Sequence, residues 1–477
     1  MIPAGLLALV SAALLVGTSA LGPSAASPGL GPRGALPPYA LAGQPSSALV
    51  TGLLVAAYLV GATAVALGLW AARRGAVVPR WWLVVAGCVA AVAILVPPLG
   101  SADHLSYAAY GRIAAQGGDP YVESPVAWDG GRDPVTSAVE DPWTTTPSVY
   151  GPVATGVQAL TSVVGGDSLR LTVWVWQLVC LAAWLSVGLL LHRRGGSRGP
   201  WLWLLNPVLL GLLLVGAHVD LLGAALGLAA LVLAGRRPLL AGALLGAAVG
   251  VKVTFALVGV ALLYALWRNR SGWRPVLWGL VGAVLVLAPT YAVAGPHVLD
   301  QLGRARRFVS LATPWRLLVD AFTVRGVVQV VWPLVALLLV FALARVLGRR
   351  PVGAGVTVDV TADAARATVV LGAAYLLAAP YSLPWYDAIA WAPLALTAAG
   401  LDLLLLARLV VLAIAYVPGR VVGLSPDVAD LTLGYRRHVA PWLGLVLLAL
   451  LMVRARRTED AATAQETGSG GQFLRSR

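Results

Sequence analysis

The amino-acid sequence predicts an all-α integral membrane protein, a polytopic bundle of about 14 helices (range 11–14) with one large external loop that carries short helices. The first observation is composition: 59% of the 477 residues are apolar and 11% are charged, whereas soluble domains carry about 25% charged residues. Second, apolar runs of about 20 residues recur along the chain, the length that a bilayer-spanning helix needs. Third, these runs do not alternate apolar and polar residues as β-barrel strands do, so the backbone in lipid has to be helical.

The predicted spans follow the apolar runs in order. The first run has no basic segment before it, so we interpret it as a retained helix rather than a signal peptide. The short pairs within 201–234 and 238–267 are compatible with tilted or partly re-entrant helices. The predicted spans are 4–21, 48–72, 81–99, 168–192, 201–216, 217–234, 238–252, 254–267, 275–294, 327–347, 366–381, 385–400, 401–417 and 439–454.

These spans divide the chain into four parts. Residues 1–100 are predicted to form N-terminal transmembrane helices, and residues 101–167 an external loop to which we assign the chemistry. Residues 168–454 are predicted to form the main transmembrane bundle, with a second external loop at 295–326. Residues 455–477 are rich in Thr, Ala, Gly and Ser and are predicted to be a disordered cytoplasmic tail.

The net charge of +14 arises from short arginine clusters between the apolar runs. No soluble basic domain gathers these arginines, so we expect no nucleic-acid partner and interpret them as topology signals. Most clusters fall on one side of the predicted spans, which the positive-inside rule assigns to the cytoplasm. We therefore expect a multi-pass protein of the plasma membrane with both termini inside and the 101–167 loop outside.

One predicted external loop departs from the positive-inside rule. The segment 295–326 contains Arg304, Arg306 and Arg307. Either a helix is miscounted, or these arginines meet an external anion, most simply a lipid-linked phosphate. The planar guanidinium matches phosphate oxygens well.

The 101–167 loop is acidic, holding Asp103, Asp119, Glu123, Asp129, Asp133, Glu140, Asp141 and Asp167 among the 20 acidic residues of the chain. Asp103 lies where the third span meets water. A carboxylate at this place is either a turn or cap residue or a general base that accepts a proton from an attacking sugar hydroxyl. The tyrosines, tryptophans, glycines and prolines of the loop suit a carbohydrate surface, although an interfacial aromatic belt has a similar composition.

Further ionisable residues lie close to the apolar runs. His218 and Asp220 join two of these runs, and Lys252, the only lysine in the chain, joins two others. Charged groups at such depth are costly and are therefore functional candidates. The alternatives are a structural capping pair for His218 and Asp220 and a snorkelling side chain for Lys252. Trp385 and Tyr386 belong to another interfacial cluster, which begins at Pro380 and for which an aromatic belt is again the alternative.

Several stretches together resemble a known family. The combination extends over about residues 80–450 and is more specific than any of its parts. The stretches are Asp103 to Arg112 with Gly118-Asp119-Pro120-Tyr121, Thr146 to Pro152, Leu205-Asn206-Pro207 leading to Gly216-Ala217-His218-Val219-Asp220, Lys252-Val253-Thr254, and Leu383-Pro384-Trp385-Tyr386. They resemble the actinobacterial polyprenol-phosphomannose-dependent α-1,6-mannosyltransferases, which are integral membrane glycosyltransferases of the GT-C class.

The resemblance implies a GT-C-like helix bundle and an inverting transferase. The donor would be a polyprenyl-phosphate mannose, the acceptor an α-1,6-mannan glycolipid, and Asp103 the base, at the external face of the membrane. Candidates for binding the donor phosphate are Lys252, Arg304, Arg306 and Arg307. Candidates for binding the sugar or the acceptor are His104, Tyr107, Arg112, Tyr121, Tyr150, His218, Asp220, Trp385 and Tyr386.

His104 follows Asp103 directly, whereas some relatives carry two adjacent acids at this place. The difference argues against a protein O-mannosyltransferase or an arabinosyltransferase of the paired-acid type. A single carboxylate is also a poor divalent-metal site, so we expect no cofactor and assign no metal ligand. Three alternatives stay open: a transferase for another polyprenyl-phosphate sugar or acceptor, a lipid-linked-sugar transporter or flippase, and a noncatalytic scaffold. No residue in the sequence selects mannose over glucose or arabinose.

Overall fold

The computed structural model describes the chain except for residues 33, 270–271, 301–302, 304–307, 323–324, 349–358 and 474–477. The described residues form helices and turns, and the β-structure among them is one isolated bridge between Ser24 and Ser27. The predicted all-α fold class is therefore confirmed.

The α-helices of the described residues are numbered in chain order. They are α1 Ile2–Ala20, α2 Ser47–Arg73, α3 Arg80–Ala93, α4 Asp103–Ala115, α5 Pro152–Gly165, α6 Leu169–Arg194, α7 Gly199–Leu202, α8 Pro207–Leu209, α9 Asp220–Leu233, α10 Pro238–Val251, α11 Ala256–Arg268, α12 Trp273–Ala294, α13 Trp315–Phe322, α14 Arg325–Val346, α15 Val360–Ala378, α16 Ala388–Leu394, α17 Asp402–Ala415, α18 Pro426–Gly434 and α19 Ala440–Phe473. Short 3-10 helices occupy Trp128–Gly131, Thr136–Ala138, Gly196–Arg198, Val253–Phe255, Pro296–Leu299 and Pro384–Asp387. Two π-helical turns occupy Leu210–Val215 and Tyr435–Val439.

Eight helical segments in the described part of the chain are long and apolar enough to cross a bilayer, and four shorter apolar helices accompany them. The long segments are Ile2–Ala20, Ser47–Arg73, Leu169–Arg194, Gly196–Val215, Trp273–Ala294, Gly326–Val346, Val360–Ala378 and Pro426–Asp460. The shorter ones are Arg80–Ala93, Asp220–Leu233, Pro238–Val251 and Val253–Arg268. The chain is thus a polytopic helical membrane protein, as predicted, and the total of about 14 spans stays a prediction.

Two predicted spans are not continuous α-helices. The segment predicted as 201–216 is broken before Pro207, and the side chain of Asn206 accepts the free backbone N–H groups of Val208 and Leu209 at 3.1 and 3.2 Å. The segment predicted as 385–400 contains only the seven residues of α16, too few to cross a bilayer. Both segments are buried within the bundle, where irregular backbone does not face lipid.

The last helix is longer than the apolar pattern indicates. We predicted a span at 439–454 followed by a disordered tail, but α19 continues to Phe473. Alanine, glutamate and glutamine recur in this stretch, and these residues favour helix once an apolar helix has nucleated.

Helices α10 and α12 pack with their backbones in direct contact. A Cβ atom on Gly242 would lie 1.9 Å from the carbonyl oxygen of Gly279, and one on Gly282 would lie 2.0 Å from that of Leu239. Small residues at a helix interface permit this approach in a membrane. The contact fixes α10, the helix that ends at Val251 and delivers Lys252.

Arginines from distant parts of the chain gather at one end of the bundle. Asp402, the first residue of α17, is fully buried, 2.9 Å from the guanidinium of Arg198 and 3.9 Å from that of Arg73. We call this the basic end. Helix α2 ends here and α17 begins here, so Ser47 and Ala415 lie at the opposite end, which we call the loop end.

The 101–167 loop folds onto the loop end around α4 and α5. The Arg112 guanidinium donates to Asp133 at 2.8 Å and to Asp167 at 2.5 Å, which joins three distant parts of the loop. Glu140 accepts hydrogen bonds from Arg420, which follows α17 in the chain. Ion pairs therefore hold the loop together internally and also bind it to the C-terminal half of the bundle.

Candidate active site

Asp103 is the first residue of α4 and lies at the surface of the bundle. Gly100, with a φ of +84°, turns the chain away from the preceding apolar helix, and the Ser101 hydroxyl accepts the backbone N–H of Asp103 at 3.3 Å. A carboxylate in the first turn is stabilised by the helix dipole. The Asp103 side chain is 18% exposed, so it is accessible while its backbone is held.

His218 faces Asp103 from another part of the chain. Its Nδ1 atom lies 3.5 Å from Asp103 Oδ2, a contact rather than a short hydrogen bond. The ring is stacked on Trp385 with centroids 3.8 Å apart and an angle of 13° between the planes, and Ser101 Oγ lies 3.3 Å from Nε2. The imidazole is therefore held in one orientation beside the carboxylate.

The backbone before His218 is strained. Ala217 has a φ of +53°, a left-handed conformation that costs a residue with a Cβ about 1 kcal/mol or more. The Trp176 indole donates to the Ala217 carbonyl at 2.7 Å and helps hold this conformation. Strain of this kind is often found where a side chain is positioned for function.

Lys252 and Asp220 form the second charged pair of the site. Asp220 begins α9, and its Oδ1 atom lies 2.7 Å from the Lys252 ammonium. The ammonium also lies 3.5 Å from the centroid of the Tyr386 ring, a cation–π contact. Asp220 Oδ2 is buried without a hydrogen-bond partner among the described residues. The lysine charge is thus balanced by a carboxylate, and its side chain is still 13% exposed.

Aromatic residues of the loop pack beside these charges. Tyr107 and Tyr150 meet edge to face with centroids 5.0 Å apart, and Tyr107 meets Trp176 at 5.5 Å. Burial raises the pKa of Tyr107, and the carboxylates of Asp103 and Asp220 raise it further. The phenol therefore stays protonated, and it lies within electrostatic reach of both carboxylates.

The structure brings together eight of the predicted site residues. They come from five separate stretches of the chain that meet at the loop end, and helix termini or tight turns position most of them. The eight are Asp103, Tyr107, Tyr150, His218, Asp220, Lys252, Trp385 and Tyr386.

Three other candidates stand apart from this group: two are engaged in structural contacts, and the third is buried. Arg112 holds Asp133 and Asp167, as described above, and the Tyr121 hydroxyl lies 2.9 Å from that of Thr155. His104 is 1% exposed, and neither ring nitrogen has a hydrogen-bond partner among the described residues. Burial, with the nearby His218 and Arg420, lowers the pKa of His104 to about 3, so the ring is neutral. Sugar binding by these residues stays a prediction. Arg304, Arg306 and Arg307 lie outside the described residues.

A buried ion pair behind the aromatic residues was missed in the sequence. Asp387 is fully buried and accepts from Arg408, whose guanidinium also donates to the Ser382 hydroxyl at 2.7 Å and the Leu376 carbonyl at 2.8 Å. These bonds fix the 3-10 turn Pro384–Asp387 that carries Trp385 and Tyr386. An arginine within the apolar run 401–417 is the signal that could have identified it.

Comparison with known proteins then identifies the family. The family described as Alpha-(1->6)-mannopyranosyltransferase, N-terminal domain, matches residues 4–269, more than half of the chain and a segment that contains Asp103, His218, Asp220 and Lys252. The chain belongs to this family of alpha-(1->6)-mannopyranosyltransferases. The resemblance seen in the sequence is thereby confirmed.

Individual members show the extent of the similarity. Alpha-(1->6)-mannopyranosyltransferase A of Mycobacterium tuberculosis is 32% identical over 224 residues, covering 42% of this chain and 42% of that protein. Alpha-(1->6)-mannopyranosyltransferase B of Corynebacterium glutamicum is 33% identical over 138 residues, covering 28% of this chain and 23% of that protein. The chain thus aligns with less than half the length of these relatives. No solved structure shows a significant match.

Proposed function

We propose that this protein is an inverting mannosyltransferase that moves mannose from a polyprenyl-phosphate donor to an α-1,6-mannan glycolipid at the external face of the plasma membrane. The observation that carries the proposal is the convergence of Asp103 with His218 and of Asp220 with Lys252 at one place on the loop end. Family membership supports mannose and the α-(1→6) linkage. The membrane-embedded bundle supports lipid-linked substrates.

In the proposed reaction Asp103 is the general base. An acceptor hydroxyl within hydrogen-bond reach of the carboxylate attacks the anomeric carbon of the donor and transfers its proton to Asp103. The bond between that carbon and the phosphate oxygen breaks, and its electron pair leaves with the polyprenyl phosphate. Attack opposite the leaving group converts a β-linked donor to an α-linked product.

His218 serves as a positioning residue for Asp103. The stack on Trp385 and the contact with Ser101 hold the imidazole, and its Nδ1 atom faces the carboxylate. A base that is held in one rotamer loses less entropy when the acceptor binds, and orientation of this kind contributes to rate.

Lys252 stabilises the departing phosphate while Asp220 and Tyr386 keep the ammonium in place. Positive charge aimed at the oxygen that becomes an anion lowers the barrier most in a site with little water.

We expect no cofactor, so transfer by the purified protein should persist after a chelator removes divalent metal. Loss of activity that added metal restores would contradict this expectation.

The decisive experiment uses the full chain reconstituted in vesicles. Polyprenyl-phosphate mannose and an α-1,6-mannan acceptor are supplied, and both elongated product and released polyprenyl phosphate are measured. Asp103→Asn should reduce transfer about 100-fold or more, whereas Asp129→Asn, a control at an exposed loop carboxylate, should behave as wild type. A flippase would move the donor without releasing polyprenyl phosphate, and near-normal transfer by Asp103→Asn would overturn the assignment of the base. Parallel reactions with glucose and arabinose donors identify the sugar.

A further inference from the structure

A second basic position lies at the loop end, in the π-helical turn Tyr435–Val439 that precedes α19. Arg436 donates from Nε to the Ala415 carbonyl at 2.6 Å. Its guanidinium carbon lies 4.6 Å from the centroid of the Tyr416 ring. The side chain is therefore held against the end of α17. Its two terminal guanidinium nitrogens donate to no backbone carbonyl among the described residues.

The charge on Arg436 is not balanced by a carboxylate among the described residues. Two other arginines of the C-terminal half do have one: Arg408 pairs with Asp387 and Arg420 with Glu140. Lys252 is likewise engaged by Asp220. A half-buried guanidinium without an acidic partner creates a positive potential that favours an anion, and phosphate suits its geometry.

Arg436 is connected to the candidate active site through stacked rings. Tyr416, beneath the guanidinium, meets Trp385 edge to face with centroids 6.1 Å apart. Trp385 is in turn stacked on His218, the residue that faces Asp103. Tyr416, Trp385 and His218 also line the same small cavity of about 10 Å³. The guanidinium is thus linked through two aromatic rings to the residue that faces Asp103.

The helix after Arg436 presents an apolar path to lipid. Val439, Trp442, Val446, Leu450 and Val453 recur at helical spacing, and each is 43–58% exposed. A polyprenyl chain that lies along this stripe would bring its phosphate to the turn that contains Arg436.

We propose that Arg436 binds the phosphate of the polyprenyl-linked donor, with the exposed stripe of α19 receiving the lipid chain. The proposal rests on the proposed function and deepens it, because it names a phosphate-binding residue in the C-terminal half of the chain, outside the segment matched by the family. Arg436 adds a basic contact to the one that Lys252 provides in the proposed function.

The test is a binding measurement on the full chain in phosphatidylcholine nanodiscs, with polyprenyl phosphate that carries no sugar. Arg436→Gln should weaken binding about 10- to 100-fold, the loss of one charge-assisted contact, and Arg436→Lys should lose less. Arg437→Gln is the matched control, since Arg437 is the exposed neighbour on the same turn. Uncharged polyprenol should bind wild type and Arg436→Gln equally.

A second measurement uses the wild-type protein and so does not depend on a variant that folds. Polyprenyl phosphate should protect Arg436, but not Arg437, from an arginine-selective dicarbonyl reagent, as read by mass spectrometry of the modified peptide. Polyprenol, inorganic phosphate and phosphatidylglycerol should protect much less. Equal protection by phosphatidylglycerol would show an ordinary anionic-lipid contact and overturn the proposal, as would unchanged binding by Arg436→Gln.

The two proposals fail in different ways. If the protein transfers no mannose, the binding measurement still reports on Arg436. If Asp103→Asn loses transfer while Arg436→Gln retains wild-type affinity and transfer, the assignment of Arg436 is wrong and the proposed function stands. Asp103→Asn is expected to keep its affinity for polyprenyl phosphate, because the base faces the sugar.

Discussion

At the residue scale, Lys252 and Asp220 depend on each other. Lys252→Met would leave the Asp220 carboxylate buried and unpaired, which costs about 3–5 kcal/mol of stability. The double variant Lys252→Met/Asp220→Asn should recover most of that stability, yet it should not recover transfer. Thermal unfolding in detergent measures the stability, and the vesicle assay measures the transfer. Recovery of transfer in the double variant would show that the pair is structural only.

The ion pair of Arg112 with Asp133, which holds the 101–167 loop together, should respond to pH. Burial alone would raise the pKa of Asp133, but hydrogen bonds from Thr136, Arg112 and Val135 outweigh it, so the pKa is lowered from its ordinary value of 3.8. A lowered folded-state pKa contributes stability above the ordinary value, and this stability is lost as the pH falls through the lowered pKa. Protection of the loop amides, relative to the exchange rate of unstructured amides at the same pH, should therefore fall only in strong acid. Asp133→Asn should lower this protection at neutral pH.

Most residues of the candidate site were predictable, for a physical reason. Ionisable side chains beside apolar runs, such as His218, Asp220 and Lys252, are costly unless they have a use. Their partners were not predictable, because the pairing of Lys252 with Asp220 depends on how α9 and α10 pack. Arg112 was assigned to sugar or acceptor binding from the resemblance, whereas its carboxylate partners lie 21 and 55 residues away in the sequence.

At the element scale, α10 should be sensitive to its contact with α12. Gly242→Ala places a methyl group 1.9 Å from the Gly279 carbonyl oxygen, and the helices must separate, at a cost of about 1–3 kcal/mol. Gly279→Ala is the matched control on the facing helix, because its nearest atom would lie 3.8 Å away. In thermal unfolding, Gly242→Ala should therefore melt at a lower temperature than Gly279→Ala. Equal melting temperatures would mean that the interface is not tightly packed.

The spans with long apolar runs were predicted well, since their length alone specifies a bilayer helix. The irregular segments were predicted less well: 201–216 was considered compatible with a tilted or re-entrant helix, and 385–400 was predicted as an ordinary span, because the hydropathy of both resembles that of a helix. Their backbone is broken by a proline and by the buried turn that Asp387 and Arg408 hold. Neither the Asn206 cap nor this long-range ion pair is visible in a hydropathy pattern.

At the scale of the whole molecule, the loop end is predicted to face the exterior. In a Cys88→Ala background, Asp129→Cys in the loop should react with a membrane-impermeant maleimide in intact cells. Arg236→Cys, between α9 and α10, should react only after lysis. The reverse labelling pattern would show the opposite topology, with Asp103 on the cytoplasmic side.

The arginine pattern predicted that most arginine clusters lie on one side of the membrane, and the meeting of Arg73 and Arg198 at Asp402 agrees with it. The pattern could not show how the two halves of the chain meet at the loop end. That meeting depends on backbone contacts such as Gly100 against Gly419 and on the pairing of Arg420 with Glu140, which join residues about 300 positions apart.

The contact between the loop and α10 has a mechanical consequence. The Gly151 N–H donates to the Val251 carbonyl at 3.0 Å, and a Cβ on Gly151 would lie 2.2 Å from the carbonyl oxygen of Gly250. Tyr150 and Lys252 are the chain neighbours of this contact, so we expect a displacement of one to shift the other. If the proposed function holds, an acceptor that displaces the loop also displaces the ammonium, and thermodynamic reciprocity then requires acceptor and donor to change each other's affinity by the same factor. A bulky side chain at Gly151 should remove that coupling.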